Sequence, residues 1–251
     1  MLLLGPSACA SPFKNHAPLR FMKSIKELKD MQGKAALVRV DFNVPIQDGV
    51  ITDDFRIQKA LLTIKFLSEL GMKVILITHL GKGTESLAPV AAALAKYIPS
   101  KFIPEVIGAK VTEAVQAMAS GDVILLENLR MNPGEQGKDM EFAKALAALA
   151  DIYVNDAFPV CHRDDSSITL VPTLLPSYAG FQLESEVKHL SIAFERPEHP
   201  FLFILGGAKF DTKLPIINRY IGTADNLFIG GAMLNDFLKA KGFEVGRSLR
   251  F

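Results

Sequence analysis

The chain has no tryptophan, only two cysteines, and no excess of either charge sign. Cys9 and Cys161 stand far apart and belong to no C-x-x-C pair. That excludes a disulfide scaffold and a cysteine-based metal site, and it fits a reducing, cytosolic compartment. Basic side chains number 28 and acidic ones 27, a formal net charge of +1. Neither a nucleic-acid binder nor a polybasic membrane binder is expected from such a balance, so any anion site must come from a local cluster. No apolar run approaches transmembrane length. Met1 to Leu4 is apolar, but it is shorter than a signal h-region of about 7–15 residues and no positive charge precedes it. Pro6-Ser7-Ala8 before Cys9 lacks the leucine usual at a lipoprotein cysteine. Periodic patterning starts only after Met22, so residues 1–21 are expected to be a disordered leader or a start codon placed too far upstream.

What the chain does have is length and apolar content. Its 251 residues, 49% of them hydrophobic, suffice for one large domain or two modest ones. Short β-branched or aliphatic runs alternate with longer amphipathic ones, which predicts an α/β fold with a parallel sheet flanked by helices, of Rossmann-like type. Strands are expected at Ala35–Asp41, Lys73–Thr78, Asp122–Glu127, Asp151–Asn155, Phe201–Leu205 and Asn226–Ile229. A helix is expected between the first two, with Asp53 or Asp54 as N-cap, Ile57, Leu61, Ile64 and Leu67 on its apolar face, and Gly71 as its stop. Ser86 with Pro89 opens another, and Asp139 opens the alanine-rich run to Ala150. A long helical stretch from Phe181 ends in the charged, proline-containing turn Glu195-Arg196-Pro197-Glu198-His199-Pro200, where a domain boundary is expected. Residues 22–196 then form a first domain. Residues 197–251 are too few to bury a core of their own and form the beginning of a second, incomplete α/β domain.

Parallel α/β sheets place ligands outside the carboxyl ends of their strands. The residues just past those ends are Asp41-Phe42-Asn43, Thr78-His79-Leu80-Gly81-Lys82, Glu127-Asn128-Leu129-Arg130, and Asn155-Asp156-Ala157-Phe158 running on to His162-Arg163. Arg56, Arg130, Arg163, His79, His162 and Lys82 suit a small polyanion, because guanidinium forks pair bidentately with carboxylate and phosphate oxygens while lysine offers a point charge. Asp41 and Asn43 would contact hydroxyl groups or orient the arginines. A single loop arginine is more often an ordinary solvated charge; a set repeated at successive strand ends is not.

The run Phe201-Leu202-Phe203-Ile204-Leu205 leads into Gly206-Gly207-Ala208-Lys209, with Lys213 where a helix begins. Glycines let backbone N–H groups approach phosphates, a helix N-terminus favours negative charge, and two lysines about one turn apart add more positive charge, a pattern that fits a nucleotide phosphate site. Taken alone, two glycines after a strand are as often a tight turn. The spacing is not that of a P-loop, nor is that of Gly81-Lys82-Gly83-Thr84. Gly230-Gly231 follows the next strand and could face the same ligand.

The segment Val38-Arg39-Val40-Asp41-Phe42-Asn43-Val44-Pro45 resembles the N-terminal signature of the phosphoglycerate kinase family. Asp54-Phe55-Arg56-Ile57, His79-Leu80-Gly81, Glu127-Asn128-Leu129-Arg130, Val154-Asn155-Asp156-Ala157-Phe158, Ala179-Gly180-Phe181, Leu205-Gly206-Gly207-Ala208-Lys209 and Ile229-Gly230-Gly231 follow in family order. The resemblance implies a two-domain glycolytic kinase that moves phosphate between ATP and 3-phosphoglycerate with magnesium held mainly through the nucleotide. It implies substrate contacts at Asp41, Asn43, Arg56, His79, Arg130 and Arg163, with His162 nearby and Arg56 acting on the transferring phosphoryl group; the residues themselves add Lys82 to the expected substrate contacts. It also implies nucleotide contacts at Gly207, Ala208, Lys209, Lys213 and Gly231, no protein-held metal, and a cytoplasmic monomer with no nucleic-acid or membrane partner.

Several positions depart from the family pattern. Lys82 stands where an arginine followed by proline is usual, and Pro159-Val160-Cys161 precedes His162-Arg163 in place of glycine-threonine-alanine. Asp164-Asp165 follows those two. Met131 replaces a phenylalanine, Ala232 a third glycine, and Thr212 an aspartate that helps hold the metal nucleotide. The later glycine-rich phosphate loop and the acidic residue near the ribose are missing. The chain is therefore expected to be a fragment of such a kinase, inactive alone. The alternative is a noncatalytic binder of 3-phosphoglycerate or a related phosphorylated acid.

Overall fold

The computed structural model describes residues 22–195, 197–207 and 213–248. The expected leader at 1–21, together with Ala208, Lys209 and Thr212, lies outside the described residues. The described chain divides into two compact units, one running to His189 and one starting at Leu190.

In the larger unit the elements run β1 (Ala35–Arg39), β2 (Ile46–Gln47), β3 (Val50–Ile51), α1 (Phe55–Glu69), β4 (Lys73–Ile77), α2 (Ala88–Leu94), β5 (Lys101–Ile103) and α3 (Ala109–Gln116). They continue with β6 (Val123–Leu126), α4 (Pro133–Gln136), α5 (Met140–Ala147), β7 (Ile152–Asn155), α6 (Ser166–Thr169), α7 (Val171–Leu174), β8 (Ser177–Ala179) and α8 (Phe181–Glu195), the last crossing into the smaller unit. The smaller unit adds β9 (Leu202–Leu205), α9 (Leu214–Tyr220), β10 (Asn226–Ile229) and α10 (Ala232–Ala240).

Six strands form one parallel sheet in the order β5-β6-β4-β1-β7-β8. Both faces are buried, and strict alternation assigns each residue to a face. Ala36, Val38, Val74, Leu76, Val123, Leu125, Ile152 and Val154 pack on one side. Ala35, Leu37, Ile75, Ile77, Ile124, Leu126 and Tyr153 pack on the other. This two-sided burial explains why the strands read as continuous apolar runs. The chain builds outward from β1 through β4 on one side and returns to β1's other side with β7, so the topological switch lies at the carboxyl end of β1.

The helix expected after the first strand is α1, with Asp54 at its N-cap and Ile57, Ile64 and Leu67 buried, while Leu61 is only partly so. Its end is a Schellman arrangement: the Gly71 N–H donates to the Ser68 carbonyl at 2.9 Å and the Met72 N–H to Leu67 at 3.1 Å. Asp139 caps α5 by accepting from the Glu141 and Phe142 N–H groups, and the helix ends at Ala147, three residues short of the expected Ala150. The first strand likewise ends at Arg39 instead of Asp41. There the Asp41 carboxylate accepts from the Asn43 N–H, a local turn that competes with the ladder.

In the smaller unit β9 and β10 pair in parallel, with Tyr220 stacked on Phe203 at 4.1 Å between ring centroids. Among the described residues, Ile217, Tyr220 and Met233 are its buried side chains.

Asp156, just past β7, is buried and its Oδ1 accepts from the Gln182 and Leu183 N–H groups in the first turn of α8. Burial, partly offset by the Thr63 hydroxyl and by these hydrogen bonds, pushes its carboxyl up from 3.8 to about 7. Between those values the folded chain keeps a proton that the unfolded chain releases. Its stabilising contribution is therefore greatest below 3.8 and is lost as the pH rises through about 7. Over the range from about pH 5 to about pH 8, Asp156→Asn, neutral at every pH, should compare least favourably with the wild type at the acid end, and the deficit should shrink as the pH rises. Urea midpoints across that range are the check, and a deficit that stayed constant or grew would refute the assignment.

Candidate functional site

The residues singled out at the strand ends of the larger unit are brought together around the switch at β1. Asp41 is nearly buried and accepts from the Arg56 Nη1 at 2.5 Å, so a guanidinium from the first turn of α1 is held over the end of β1. The Arg56 side chain stays 47% exposed, available to a second anion. Asn43 Oδ1 accepts from the Gly81 N–H at 3.1 Å, and Arg130 Nη1 donates to the Gly81 carbonyl at 2.5 Å. One glycine thus joins two of the expected ligands.

The loop after β4 is clamped from below by Glu127 and Asn128. Glu127 accepts from the Ser86 hydroxyl at 2.7 Å, the Leu87 N–H at 2.8 Å and the Asn128 N–H at 2.7 Å. The buried Asn128 amide donates to the carbonyls of Leu80 and Glu85 and accepts from the N–H groups of Leu80 and Arg130. Every donor and acceptor position of that amide is used. Gly83 completes the loop at φ +103°, and a Cβ there would meet the Arg130 carbonyl oxygen at 2.5 Å. Only glycine allows this close approach.

His79 is 1% exposed, and its Nδ1 lies 3.0 Å from the Nη2 of Arg39. Arg39 was not among the residues expected at the site. It is fully buried on β1, and donates also from Nη1 to the Val40 carbonyl at 2.6 Å and from Nε to the Ser167 hydroxyl at 3.1 Å. Ser167 in turn donates from Oγ and from its backbone N–H to the two carboxylate oxygens of Glu135, at 2.6 and 3.0 Å. Burial pushes the Glu135 carboxyl up, while Arg39 and the Ser167 hydrogen bonds pull against it. The His79 imidazole is driven down to about 3, by burial first and then by the positive charges of Arg39, Arg163 and Arg56. It is neutral at physiological pH and cannot serve there as a general acid.

Three buried side-chain atoms of the cluster have no hydrogen-bond partner: His79 Nε2, Arg130 Nε and Arg163 Nε. All are nitrogens, and the two arginine positions are N–H donors under any protonation. Unpaired buried donors are costly unless a ligand satisfies them, and donors of this kind call for an anion. Lys82 and His162 are exposed and, among the described residues, their side chains join the cluster through no hydrogen bond or ion pair. Of the two acids after Arg163, Asp164 pairs with Lys138 at 2.8 Å, and Asp165 is buried at the N-cap of α6.

In the smaller unit the structure brings Gly207, Lys213 and Gly231 together. A Cβ on Gly207 would meet the Lys213 Cε at 2.9 Å, and one on Gly231 would meet the Gly207 nitrogen at 3.2 Å. The Met233 N–H donates to the Gly207 carbonyl at 3.1 Å. Ala208 and Lys209 lie outside the described residues.

Asn128→Ala would strip partners from four backbone groups at once. Denaturant titration should register a loss of about 2–4 kcal/mol, and a loss below about 1 kcal/mol would contradict the clamp.

The phosphoglycerate kinase family model matches residues 25–250. The chain is 47% identical over 236 residues to the phosphoglycerate kinase of Dictyoglomus turgidum, a match covering 90% of this chain and 60% of that protein. It is 49% identical over 228 residues to that of Thermosipho africanus, covering 88% and 57%. The solved phosphoglycerate kinase of Coxiella burnetii aligns with a TM-score of 0.80 at 36% identity over 92% of this chain and 60% of that one. That of Pyrococcus horikoshii aligns with a TM-score of 0.80 at 31% identity, covering 90% and 59%. The chain thus spans about 60% of the length of the relatives it matches.

Proposed function

Because the chain belongs to the phosphoglycerate kinase family, we propose that its larger unit binds 3-phosphoglycerate at the strand-end site and that its smaller unit contributes to nucleotide binding. The reaction served is reversible phosphoryl transfer between ATP and 3-phosphoglycerate, giving ADP and 1,3-bisphosphoglycerate. The observation that carries the substrate reading is the set of three buried, unpartnered nitrogens on His79, Arg130 and Arg163. A phosphate monoester supplies several acceptor oxygens and the negative charge that those guanidinium groups call for.

The acceptor in this reaction is a carboxylate, ionised at neutral pH, so no general base is needed to create the nucleophile. What remains is to position two anions and neutralise charge on the moving phosphoryl group. Arg130, Arg163 and neutral His79 hold the substrate phosphate, with Lys82 and His162 at the exposed rim. Asp41 and Asn43 orient the arginines or the substrate hydroxyl. Arg56, braced by Asp41 and still half exposed, reaches for the transferring group. Gly207, Lys213 and Gly231, with Ala208 and Lys209, receive the nucleotide phosphates. Among the described residues no three His, Cys, Asp or Glu side chains cluster so as to hold a metal ion. We assign magnesium to the nucleotide phosphates. No helix among the described residues is long and apolar enough to cross a membrane. By analogy with the family we propose a cytoplasmic monomer.

Calorimetry with 3-phosphoglycerate tests the substrate reading. Saturable binding should weaken as salt is raised, and Arg163→Ala should raise Kd about tenfold or more, as expected for a charge-assisted phosphate contact. Absence of binding heat from a demonstrably folded chain would refute it.

A further inference from the structure

A guanidinium has donors and no acceptor, so the 3.0 Å contact between Arg39 Nη2 and His79 Nδ1 fixes the direction of the bond: Nδ1 accepts. In the neutral ring the proton must then sit on Nε2, the atom that is buried and lacks a partner. We propose that Arg39 is a positioning residue that holds His79 as the neutral Nε2–H tautomer, so that the ring presents a donor to the phosphate of bound 3-phosphoglycerate. The inference rests on the substrate reading above for the identity of the ligand, but the tautomer follows from the protein alone.

Arg39 is itself held from behind. Its Nε donates to Ser167 Oγ, which donates to Glu135, and no carboxylate among the described residues lies within ion-pair distance of it. Ser167 stands four residues after Arg163, and Glu135 five residues after Arg130. One buried chain of hydrogen bonds, Glu135 to Ser167 to Arg39 to His79, therefore ties together the loops that carry the proposed phosphate ligands. Tyr153 strengthens it by donating from its hydroxyl to the Ser167 carbonyl at 2.7 Å. The charged groups around His79 are Arg39 from β1, Arg56 from the start of α1 and Arg163 from the loop before α6. Asp41 is paired to Arg56, and Glu135, with Asp165 near it, stands behind Arg39. Burial and these cations together keep the proton count of His79 at one, which makes its donor role independent of pH across the working range.

Long-range 15N–1H correlation spectra of the folded chain without ligand, with His79 assigned by comparison with H79Q, read the tautomer directly. The expected result is a protonated Nε2 and a bare Nδ1, unchanged from about pH 5 to about pH 8. In Arg39→Met, where either ring nitrogen can carry the proton, the ring should become a mixture of the two tautomers. The Kd for 3-phosphoglycerate should rise at least about twofold, because only part of the free ring then presents a donor at Nε2. The ratio of wild-type to variant affinity is the quantity to follow, because the ligand's own titration cancels in it. Should Arg39→Met fail to fold, Ser167→Ala keeps the guanidinium but removes its anchor, and a smaller shift in the same direction is expected. A wild-type ring protonated on Nδ1, a wild-type ring titrating within this range, or a folded Arg39→Met that keeps the pure Nε2–H tautomer would each overturn the proposal. The expected tautomer in a chain that binds no 3-phosphoglycerate would instead overturn the substrate reading while supporting the lock between Arg39 and His79.

Discussion

A guanidinium that no water reaches is the constraint on which the larger unit's ligand end depends. Arg39 sits on the central strand of a sheet buried on both faces, and a charge there is tolerated only where polar partners replace its hydration. Those partners are the Val40 carbonyl, the Ser167 hydroxyl and the His79 ring, with Glu135 one hydrogen bond further on. Each belongs to a different strand end or short helix around the switch at β1. Satisfying one buried cation therefore fixes the relative positions of segments that are distant in the chain, and it leaves the outward nitrogen of His79 without a partner.

The same dry surroundings act in opposite directions on two titratable groups. His79, ringed by arginines, is kept neutral because burial and like charge both disfavour the imidazolium. Asp156, with the Thr63 hydroxyl and backbone N–H groups but no cation among the influences on it, holds its proton up to about pH 7. Neither is arranged as an acid or base for catalysis. A neutral His79 fits the proposed site, whose work would be to hold anions and exclude water.

Much of the fold was legible from period and punctuation. The six strands expected from the sequence appear as β1, β4, β6, β7, β9 and β10, and α1 ends at Gly71 as its pattern implied. β5 and β8 were not found, because three-residue strands at the sheet edges carry too little periodicity to register. The hairpin of β2 and β3 escaped for the same reason. At the site, the clustering of Asp41, Asn43, Arg56, His79, Arg130 and Arg163 followed from the rule that ligands bind beyond strand ends. Arg39 was missed although a signal was present: an arginine inside an otherwise apolar central strand must be internally satisfied. Glu135 and Ser167 offered no such signal, since each lies on a one-turn helix with no hydrophobic pattern around it, and only tertiary packing joins them.

The central claim is that the buried nitrogens left without partners are filled by the substrate's phosphate. A crystal structure of the chain grown with 3-phosphoglycerate tests it most directly. The expected result is a phosphate group within hydrogen-bond distance of His79 Nε2, Arg130 Nε and Arg163 Nε together. A fully occupied ligand bound elsewhere, or bound in the site with those three nitrogens still unpaired, would contradict it.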